Sequence, residues 1–383
     1  MRVIVVGAGI GGLTTAIALS RKKIDVEIYE RSTRLADVGA GVSLWPNALK
    51  ALHQLGMKAA LDAMSCVSKV GALRTSDGRF LSRTTATEFV RRFGYPTTVF
   101  HRAELLEALV QAAGTIPIHL GRQCRDFEQA GDQVTVHFSD GGHATADALV
   151  GADGLRSIVR ERLGIPGALK YSGYTAWRGV APFETSDLIA GETFGCGQRF
   201  GLVPLIGNRV YWYATDNLPE GGREEPAAAQ GRLLERFRTW HSPISAVIAA
   251  TDANAILRND IYDRDPADRW GEGRVTLVGD AAHPMTPNLG QGGCQAIEDG
   301  LVLARHLDGG QDVPTALRSY ESERIPRTSS IVTTSRRVGR MGQIESPIFC
   351  KLRNAALGLM PLSMTYRSLE SVAGFEGHLD QRG

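Results

Sequence analysis

The sequence carries almost no net charge, which limits the partners that it can attract. Its 383 residues contain 43 Lys and Arg against 41 Asp and Glu, a formal net charge of +2 at pH 7. The basic residues are scattered and form no run that would bind a phosphate backbone. We therefore expect no nucleic-acid partner.

Cysteine is also scarce. The five cysteines show no CxxC spacing and no Cys–His pairing at metal-ligand spacing, so we expect reduced thiols and no metal site. They are Cys66, Cys124, Cys196, Cys294 and Cys350.

Long apolar runs are missing too. No segment approaches the roughly 20 apolar residues that cross a bilayer, so we expect no integral membrane segment. Met1 leads directly into RVIVVGAG, which leaves no room for a signal peptide. These absences together predict a cytoplasmic protein.

What the sequence does contain is a βαβ pattern at its start. The apolar, β-branched run from Val3 to Val6 predicts a strand buried on both faces of a parallel sheet. Glycine-rich GAGIGG follows, and then a helical pattern that ends in cations, which the negative end of a helix dipole favours. The segment DVEIYE predicts the second strand, so an α/β domain begins here.

The segment GAGIGG, from Gly7 to Gly12, has the spacing of a dinucleotide-binding loop. Gly7 allows a tight turn, Gly9 lets the backbone approach a pyrophosphate, and Gly12 lets helix and strand pack closely. Glu30 ends the second strand, where an acid accepts hydrogen bonds from ribose hydroxyls. The pattern predicts a dinucleotide and leaves NAD and FAD both open.

A second motif, GADGLRSIVR, follows another buried strand. Asp153 ends that strand, and Arg156 and Arg160 lie on one side of the helix that follows. Asp153 is therefore a candidate for cofactor binding, and the alternative is an N-cap with basic helix residues.

A third motif, GDAAHPMTPNLGQGG, ends a buried strand at Asp280. Asp280 could accept a hydrogen bond from a ribitol hydroxyl. From Gly290 a helix begins, and its N-terminal amides would stabilise negative charge on a reduced ring system. His283 is a candidate general base, but a structural role beside the cofactor is the favoured interpretation.

Between these motifs the pattern changes to β structure. From about residue 170 to 260, aromatic alternating segments predict an antiparallel sheet. The chain then returns to a buried strand, RVTLVGD, and to a helix from about Cys294 to His306. Beyond Ile331, helical stretches broken at Pro347 and Pro361 predict a C-terminal cap, with shielding of a substrate cavity as the alternative.

The three motifs together resemble the signatures of the class A flavoprotein monooxygenases. This family includes p-hydroxybenzoate hydroxylase, salicylate hydroxylase, zeaxanthin epoxidase and the FAD-dependent urate hydroxylases, and the similarity runs from residue 1 to about 327. VGAGVSLWPNALKALHQLG, HRAEL and YSGYTAWRG resemble the subgroup with urate hydroxylase and zeaxanthin epoxidase, and VGRMGQIESP resembles bacterial alkylquinolone 3-hydroxylases.

The resemblance implies an α/β fold with a Rossmann-like FAD-binding domain of the p-hydroxybenzoate hydroxylase type, a β-rich substrate domain and a C-terminal helical segment. Some strands of the substrate sheet would come from near residues 67–100. The predicted ranges are 1–169 and 261–330 for the FAD domain, 170–260 for the substrate domain and 331–383 for the helical segment.

The resemblance also implies the chemistry. FAD would be bound noncovalently and reduced by NADH or NADPH that binds only transiently, since no second GxGxxG follows a strand. Reduced flavin and O2 would form a C4a-hydroperoxide that hydroxylates an aromatic or N-heteroaromatic small molecule. The remaining alternatives are epoxidation of an isoprenoid or other alkene, a flavin oxidase or dehydrogenase, and a noncatalytic FAD-fold binding protein. A monomer and a homodimer both stay open.

Site residues follow by family analogy. The predicted cofactor-binding residues are Gly7, Gly9, Gly11, Gly12, Glu30, Arg31, Ser43, Arg102, Cys124, Asp153, Asp280, Gly290, Gln291, Gly292 and Gly293. The predicted catalytic residues are Arg199 and Tyr211, and the predicted substrate-binding residues are Pro287, Asn288, Leu202 and Trp212. Urate hydroxylases carry an Asp at the position of Asn288, and an Asn there favours a neutral N-heteroaromatic or phenol over urate.

Overall fold

The computed structural model describes residues 1–35, 40–222, 224–375, 377 and 379. Two positions of the VGAGVSLWPN motif, 38 and 39, lie outside the described residues. So do six positions at the end of the predicted C-terminal segment: 376, 378 and 380–383.

The strands of the described chain form four sheets. In chain order they are β1 (Arg2–Val6), β2 (Asp25–Glu30), β3 (Gly41–Leu44), β4 (Val70–Thr75), β5 (Phe80–Thr85), β6 (Thr98–His101), β7 (Ile118–Leu120), β8 (Cys124–Ala130), β9 (Gln133–Phe138), β10 (His143–Ala146), β11 (Ala148–Gly151), β12 (Lys170–Pro182), β13 (Ala190–Phe194), β14 (Gln198–Leu205), β15 (Arg209–Asp216), β16 (Leu257–Asp263) and β17 (Val275–Leu277).

The helices cover the sheets and form the C-terminal part of the described chain. In chain order they are α1 (Ile10–Arg21), α2 (Pro46–Gln54), α3 (Lys58–Met64), α4 (Ala86–Phe93), α5 (Arg102–Ala113), α6 (Ile158–Arg162), α7 (Pro226–Arg236), α8 (Ile244–Ala250), α9 (Gly292–Leu307), α10 (Val313–Gly342), α11 (Pro347–Leu359) and α12 (Leu362–Ala373).

A parallel sheet of five strands, in the order β17-β11-β1-β2-β7, forms the first layer. Strand β1 lies at its centre, and its residues Val3 to Val6 are almost completely buried. Helices α1 and α9 pack against each other beside this sheet. Because both faces of such a sheet are covered, its strands are continuous apolar runs, as the sequence of β1 indicates.

A second sheet of seven strands has the order β16-β12-β15-β14-β13-β4-β5. All neighbours are antiparallel except β13 and β4, which are parallel. One face packs against α7 and α8 through an apolar cluster that includes Phe237, Ile244 and Val247. The other face lines the cavity described below.

Several elements cross the predicted domain limits. Strands β4 and β5 belong to the seven-stranded sheet and lie in the range, near residues 67–100, from which strands of the substrate sheet are expected. The limit at 260 falls inside β16, and α10 continues through the limit at 330. Helix α11 begins at Pro347 and α12 directly after Pro361, because proline is favoured at a helix start and disfavoured inside a helix. The domain limits at residues 169, 260 and 330 therefore stay a prediction from the sequence pattern.

None of the helices in the described ranges is long and apolar enough to cross a membrane. Among the same residues, no group of three or more His, Cys, Asp or Glu side chains is arranged to hold a metal ion.

Candidate cofactor and active site

Two cavities meet at the carboxyl end of the parallel sheet. The smaller, of about 330 Å³, borders the glycine loop and the end of β2. The larger, of about 1030 Å³, extends along the seven-stranded sheet. Gly9, Arg102, Ala152 and Gly154 line both cavities, so the two form one elongated cleft.

The glycine loop forms the floor where the cavities meet. Gly7 has a φ of +109°, and a Cβ there would lie 2.4 Å from the carbonyl oxygen of Ala152. A Cβ on Gly12 would lie 1.9 Å from the carbonyl oxygen of Gly7, whereas one on Gly9 would meet no atom within 4 Å. Gly7 and Gly12 therefore permit close packing, and Gly9 leaves the cleft open.

The start of helix α1 faces this cleft. The helix begins at Ile10 after Gly9, with no side-chain cap and no acidic residue in its first turn. Its backbone N–H groups are therefore available to a phosphate at the positive end of the helix dipole. Gly11 lines the larger cavity, and a Cβ there would lie 3.1 Å from the Cβ of Ala296 on α9, so glycine also permits close packing of the two helices.

The end of β2 shapes the smaller cavity. The Glu30 carboxylate accepts hydrogen bonds from the backbone N–H of Ala8 (2.9 Å) and of Ser32 (2.8 Å), which fixes the loops on both sides. Glu30, Arg31 and Cys124 all line this cavity. Burial raises the pKa of the Cys124 thiol to about 12, so this cysteine contributes shape and backbone atoms rather than a thiolate.

Asp153 anchors the start of α6 and also borders the smaller cavity. Its Oδ2 accepts hydrogen bonds from the backbone N–H groups of Ile158 (2.7 Å) and Val159 (3.3 Å) at the start of α6. Its Oδ1 is buried and has no hydrogen-bond partner, although Asp153 lines the smaller cavity. A buried acceptor without a partner is costly unless a ligand supplies the donor.

The start of helix α9 lines the larger cavity. Gly290, Gly292 and Gly293 lie on the cavity wall together with Ser43 and Asp280. The first turn of α9 contains no acidic residue and no side-chain cap. Its N–H groups therefore offer positive charge to a ring system that binds against this helix start.

Asp280 stands beside this helix start. A Cβ on Gly292 would lie 3.7 Å from its Oδ1. The Asp280 side chain is accessible from the cleft, but the protein around the cleft surrounds its carboxylate. This burial raises the pKa of Asp280, and the charges of His283 and Arg102 oppose the rise. Its position is that of an acceptor for a hydroxyl group of a bound ligand.

The prediction for Gln291 applies at most to its backbone. Its side chain is completely buried and points into the core, where Oε1 accepts hydrogen bonds from Asn47 and Gln295, both at 3.0 Å. It does not line either cavity. Its neighbours Gly290 and Gly292 face the cavity, and the Gln291 side chain between them points into the core.

These features fit FAD. Two helix starts without caps suit the pyrophosphate and the flavin ring, the unpartnered Oδ1 of Asp153 suits a donor group, and Gly9 leaves room where the two halves would meet. The residues present therefore accommodate the adenosine half near Glu30 and Cys124 and the flavin half near Asp280 and Gly290.

His283 belongs to the supporting core. Its Nε2 lies 2.6 Å from Oδ2 of Asp299, which also accepts the backbone N–H of Gly279 at 2.8 Å. Although burial opposes charge, His283 and Arg324 lower the pKa of Asp299 to about 2. His283 does not line the cavity. The arrangement agrees with a structural role, holding the loop that carries Asp280.

A polar row crosses the cavity face of the seven-stranded sheet. Glu192, Gly201, Tyr213 and Arg178 are cross-strand neighbours on β13, β14, β15 and β12. A Cβ on Gly201 would lie 2.0 Å from the ring of Tyr213, so only glycine leaves room for that ring. Burial and the nearby negative charge of Glu192 raise the pKa of Tyr213 well above its usual value, so the hydroxyl stays protonated.

Arg199 lies beside this row and is only 3% exposed. Its guanidinium donates to Glu192 (3.0 Å), Asn288 (2.6 Å) and Gln343 (2.8 Å). Burial opposes its charge, but Glu192, Tyr174 and Tyr213 raise the pKa of Arg199, which stays a cation. Its charge thus acts on the cavity from a fixed position.

Asn288 is not a free substrate contact. Its Oδ1 accepts from Arg199 and from the Tyr174 hydroxyl (3.2 Å), and its Nδ2 donates to Thr286 (2.8 Å) and to the carbonyl of Ser335 (3.1 Å). The residue lines the cavity beside Pro287. Because its hydrogen-bonding groups already have protein partners, Asn288 positions Arg199.

The substrate-binding predictions for Leu202 and Trp212 are wrong in their side-chain direction. Both are buried in the cluster that packs against α7 and α8, and Trp212 donates to Thr251 at 2.8 Å. Side chains alternate along a strand, so Leu202, which follows Gly201, and Trp212, which lies between Tyr211 and Tyr213, face away from the cavity. Tyr211 does line the cavity and stacks on Gly41.

Four residues of this site, Arg178, Glu192, Gln343 and Tyr174, are absent from the sequence-based predictions. Glu192 and Gln343 hold the Arg199 guanidinium, and Tyr174 donates to Asn288. An acid in the middle of the strand AGETF was the available signal for Glu192. The partnership with Gln343 had none, because 144 residues separate it from Arg199.

Comparison with known proteins decides the family. The family model described as FAD binding domain matches residues 1–335. Aurachin C monooxygenase/isomerase from Stigmatella aurantiaca is 41% identical over 364 residues, which cover 94% of each chain. The chain belongs to the class A FAD-dependent monooxygenases. This confirms the family, the enzyme class and FAD as the cofactor.

Two further relatives of this monooxygenase extend the comparison. The 3-amino-4-hydroxybenzoate 2-monooxygenase from Streptomyces cremeus is 37% identical over 347 residues, covering 88% of this chain and 86% of that one. Klebsiella pneumoniae HpxO, solved with FAD and uric acid, superposes with a TM-score of 0.92 at 30% identity over 98% of both chains. The predicted α/β fold with C-terminal helices is confirmed.

Proposed function

We propose that this monooxygenase hydroxylates an aromatic or N-heteroaromatic small molecule, with NADH or NADPH as electron donor. The observation that carries the proposal is the position of the polar row and of Arg199 beside it. Glu192, Tyr213 and Arg199 line the same cavity as the glycines at the start of α9, where the flavin ring would lie. When bound, the reduced flavin would supply the two electrons that activate O2, so that one oxygen atom of O2 enters the substrate and the other leaves as water.

The protein would contribute orientation and charge. Tyr211 and Tyr213 offer ring faces to an aromatic substrate, and Tyr213 keeps its proton because burial and Glu192 raise its pKa. The Arg199 cation would stabilise negative charge that develops on an oxygen or nitrogen of the substrate ring. A ring made more electron-rich in this way is the better target for an electrophilic oxygen atom.

The C-terminal helix α10 would hold this arrangement rigid. Its Gly342 allows close packing, since a Cβ there would lie 2.9 Å from Cδ of Arg199. The Gln343 side chain accepts from both Arg199 and Thr215. Fixed donors need no reorganisation when charge develops, which is how a preorganised site lowers a barrier.

Transient binding of the nicotinamide cofactor agrees with the sheet arrangement. The part of the chain that the structure describes has one parallel sheet, and its glycine loop fits FAD. HpxO was solved with uric acid, and we propose a different ring for this chain, since its Asn288 already binds Arg199 and Tyr174.

Uncoupling measurements on two variants test this proposal. Arg199→Gln removes the charge, and Gly201→Ala displaces the Tyr213 ring through a Cβ that would lie 2.0 Å from it. We expect both to lower product formed per NAD(P)H oxidised by about tenfold or more, as loss of one oriented charge or donor does. Gly231→Ala, whose Cβ would meet no atom within 4 Å, is the matched control.

Product analysis with a panel of aromatic compounds supplies the readout. The wild type and Gly231→Ala should give a hydroxylated ring in step with NAD(P)H oxidation. Fully coupled turnover by both Arg199→Gln and Gly201→Ala, with FAD still bound, would show that neither Arg199 nor the polar row takes part in catalysis. An epoxide as the sole product would instead favour the alkene alternative.

A further inference from the structure

An apolar face lies open on the C-terminal helices. Of the fourteen large hydrophobic side chains that are exposed in the described part of the chain, seven fall between residues 348 and 364. We call them the α11–α12 face: Ile348, Phe349, Leu352, Leu359, Met360, Leu362 and Met364. Exposed apolar patches of this kind mark interaction surfaces.

The spacing within α11 shows that the face is a continuous stripe. Ile348, Leu352 and Leu359 are 71%, 60% and 83% exposed, and exposed Ala355 lies between the last two. Residues three or four positions apart lie on one side of a helix. The stripe therefore runs the whole length of α11.

The opposite side of α11 packs on the rest of the chain through the hydrogen bonds of Arg353. Arg353 is buried and donates to the carbonyl oxygens of Gly195 (2.8 Å) and Gly342 (3.2 Å). Cys350 is buried beside it. A surface helix normally buries its apolar side and exposes its charges. Helix α11 instead buries Arg353 and exposes an apolar stripe, which indicates a surface for a partner outside the chain.

Exposed cations outnumber exposed acids two to one in the segment that carries this face. Between residues 337 and 370, the four cations Arg337, Arg340, Lys351 and Arg367 are exposed, against the two exposed acids Glu345 and Glu370. Cations that flank an apolar helix face are attracted to anionic lipid headgroups. A second copy of this chain, packed face to face, would bring these like charges together.

The same helices complete the wall of the larger cavity. Leu369 of α12 lines that cavity together with Phe89 of α4 and Trp45. Helix α11 packs against β5, whose residues Thr84 and Thr85 line it too. The apolar face is thus carried by elements adjacent to the candidate active site.

We propose that the α11–α12 face docks this protein on the surface of an anionic lipid bilayer. The apolar side chains enter the interface between headgroups and acyl chains, and the flanking cations contact the headgroups. The helices lie in the plane of the membrane, because none of those described is long and apolar enough to cross it. The proposal is independent of which ring the enzyme hydroxylates.

Vesicle sedimentation with the full-length, FAD-loaded protein tests this docking. We expect binding to phosphatidylcholine vesicles that contain phosphatidylglycerol, weaker binding to phosphatidylcholine alone, and a decrease with added salt. Leu352→Asp should lower the partition coefficient about tenfold or more, because the apolar contact of a buried leucine is replaced by a charge that must stay in water. Ile206→Asp, at an exposed apolar position outside the face, is the matched control.

Retained FAD and unchanged thermal unfolding would show that Leu352→Asp is folded, and Lys351→Glu gives a second, charge-based variant. No binding to either kind of vesicle, or equal binding by wild type and both variants, would overturn the proposal. So would a dimer in light scattering that Leu352→Asp dissociates, since the face would then serve self-association.

Discussion

At the scale of single residues, the glycines of the cleft have distinct tasks. Gly9 leaves space for a ligand, whereas Gly201 and Gly41 leave space for the rings of Tyr213 and Tyr211. The absence of a side chain at Gly9 would leave room for a cofactor, whereas at Gly201 and Gly41 it lets a tyrosine ring pack against the backbone. The same residue type therefore builds both halves of the site.

Asp280 provides the residue-scale test of the cofactor site. We expect Asp280→Ala to weaken FAD binding about 10- to 100-fold, because a hydrogen bond to a charged group contributes roughly 1.5–3 kcal/mol. Fluorescence titration of the apoprotein with FAD measures this. Asp268→Ala, an exposed acid that lines neither cavity, should bind like the wild type. An unchanged affinity for Asp280→Ala would place the ribityl contact elsewhere.

Residue roles on the flavin side were more predictable than those on the substrate side. The loop from Gly7 to Gly12 and Asp280 follow buried strands, so their place at the sheet edge follows from the chain itself. Leu202 and Trp212 were placed on the wrong face because a strand's two faces differ by one residue, and an aromatic strand such as RVYWYATD is apolar on both.

At the scale of elements, α9 and α10 are joined by buried charges. Arg324 of α10 donates to both Glu298 and Asp299 of α9, and all three side chains are almost completely inaccessible to solvent. Arg327 adds a second cation to Glu298 at 2.8 Å. This network supports the loop that carries Asp280 through Asp299 and His283.

Removing Arg324 should be strongly destabilising. Arg324→Met leaves two buried carboxylates with too little compensation, and breaking such a network lowers the free energy of unfolding by roughly 3–5 kcal/mol. Urea unfolding followed by circular dichroism measures the loss. The exposed pair Arg238–Glu235 supplies the control, since Arg238→Met should change stability by about 0–1 kcal/mol. A similarly small change for Arg324→Met would show that the network is not needed for stability.

Helix starts could be predicted, but not which side of a helix faces outward. Pro347 and Pro361 mark the beginnings of α11 and α12 for reasons local to proline. The burial of Arg353 depends on carbonyl groups of Gly195 and Gly342, which lie far apart in the sequence. Such contacts exist only after the sheets have assembled.

At the scale of the whole molecule, the site lies between two sheets that the sequence interleaves. Strands β4 and β5 join the seven-stranded sheet from before residue 100, and Gln343 reaches it from the end of α10. The family fold was predictable because three separated motifs carry it. The shape of the cavity was not, because its wall combines distant segments whose side chains have no signature of their own.

The central claim is that the cavity between these sheets inserts an oxygen atom from O2 into an aromatic ring. The most direct measurement supplies ¹⁸O₂ with an aromatic compound that stimulates NAD(P)H oxidation and analyses the product by mass spectrometry. One heavy oxygen atom should appear in the ring of the product, and the other in water. Product oxygen derived from the solvent, or flavin turnover that never yields a hydroxylated ring, would contradict it.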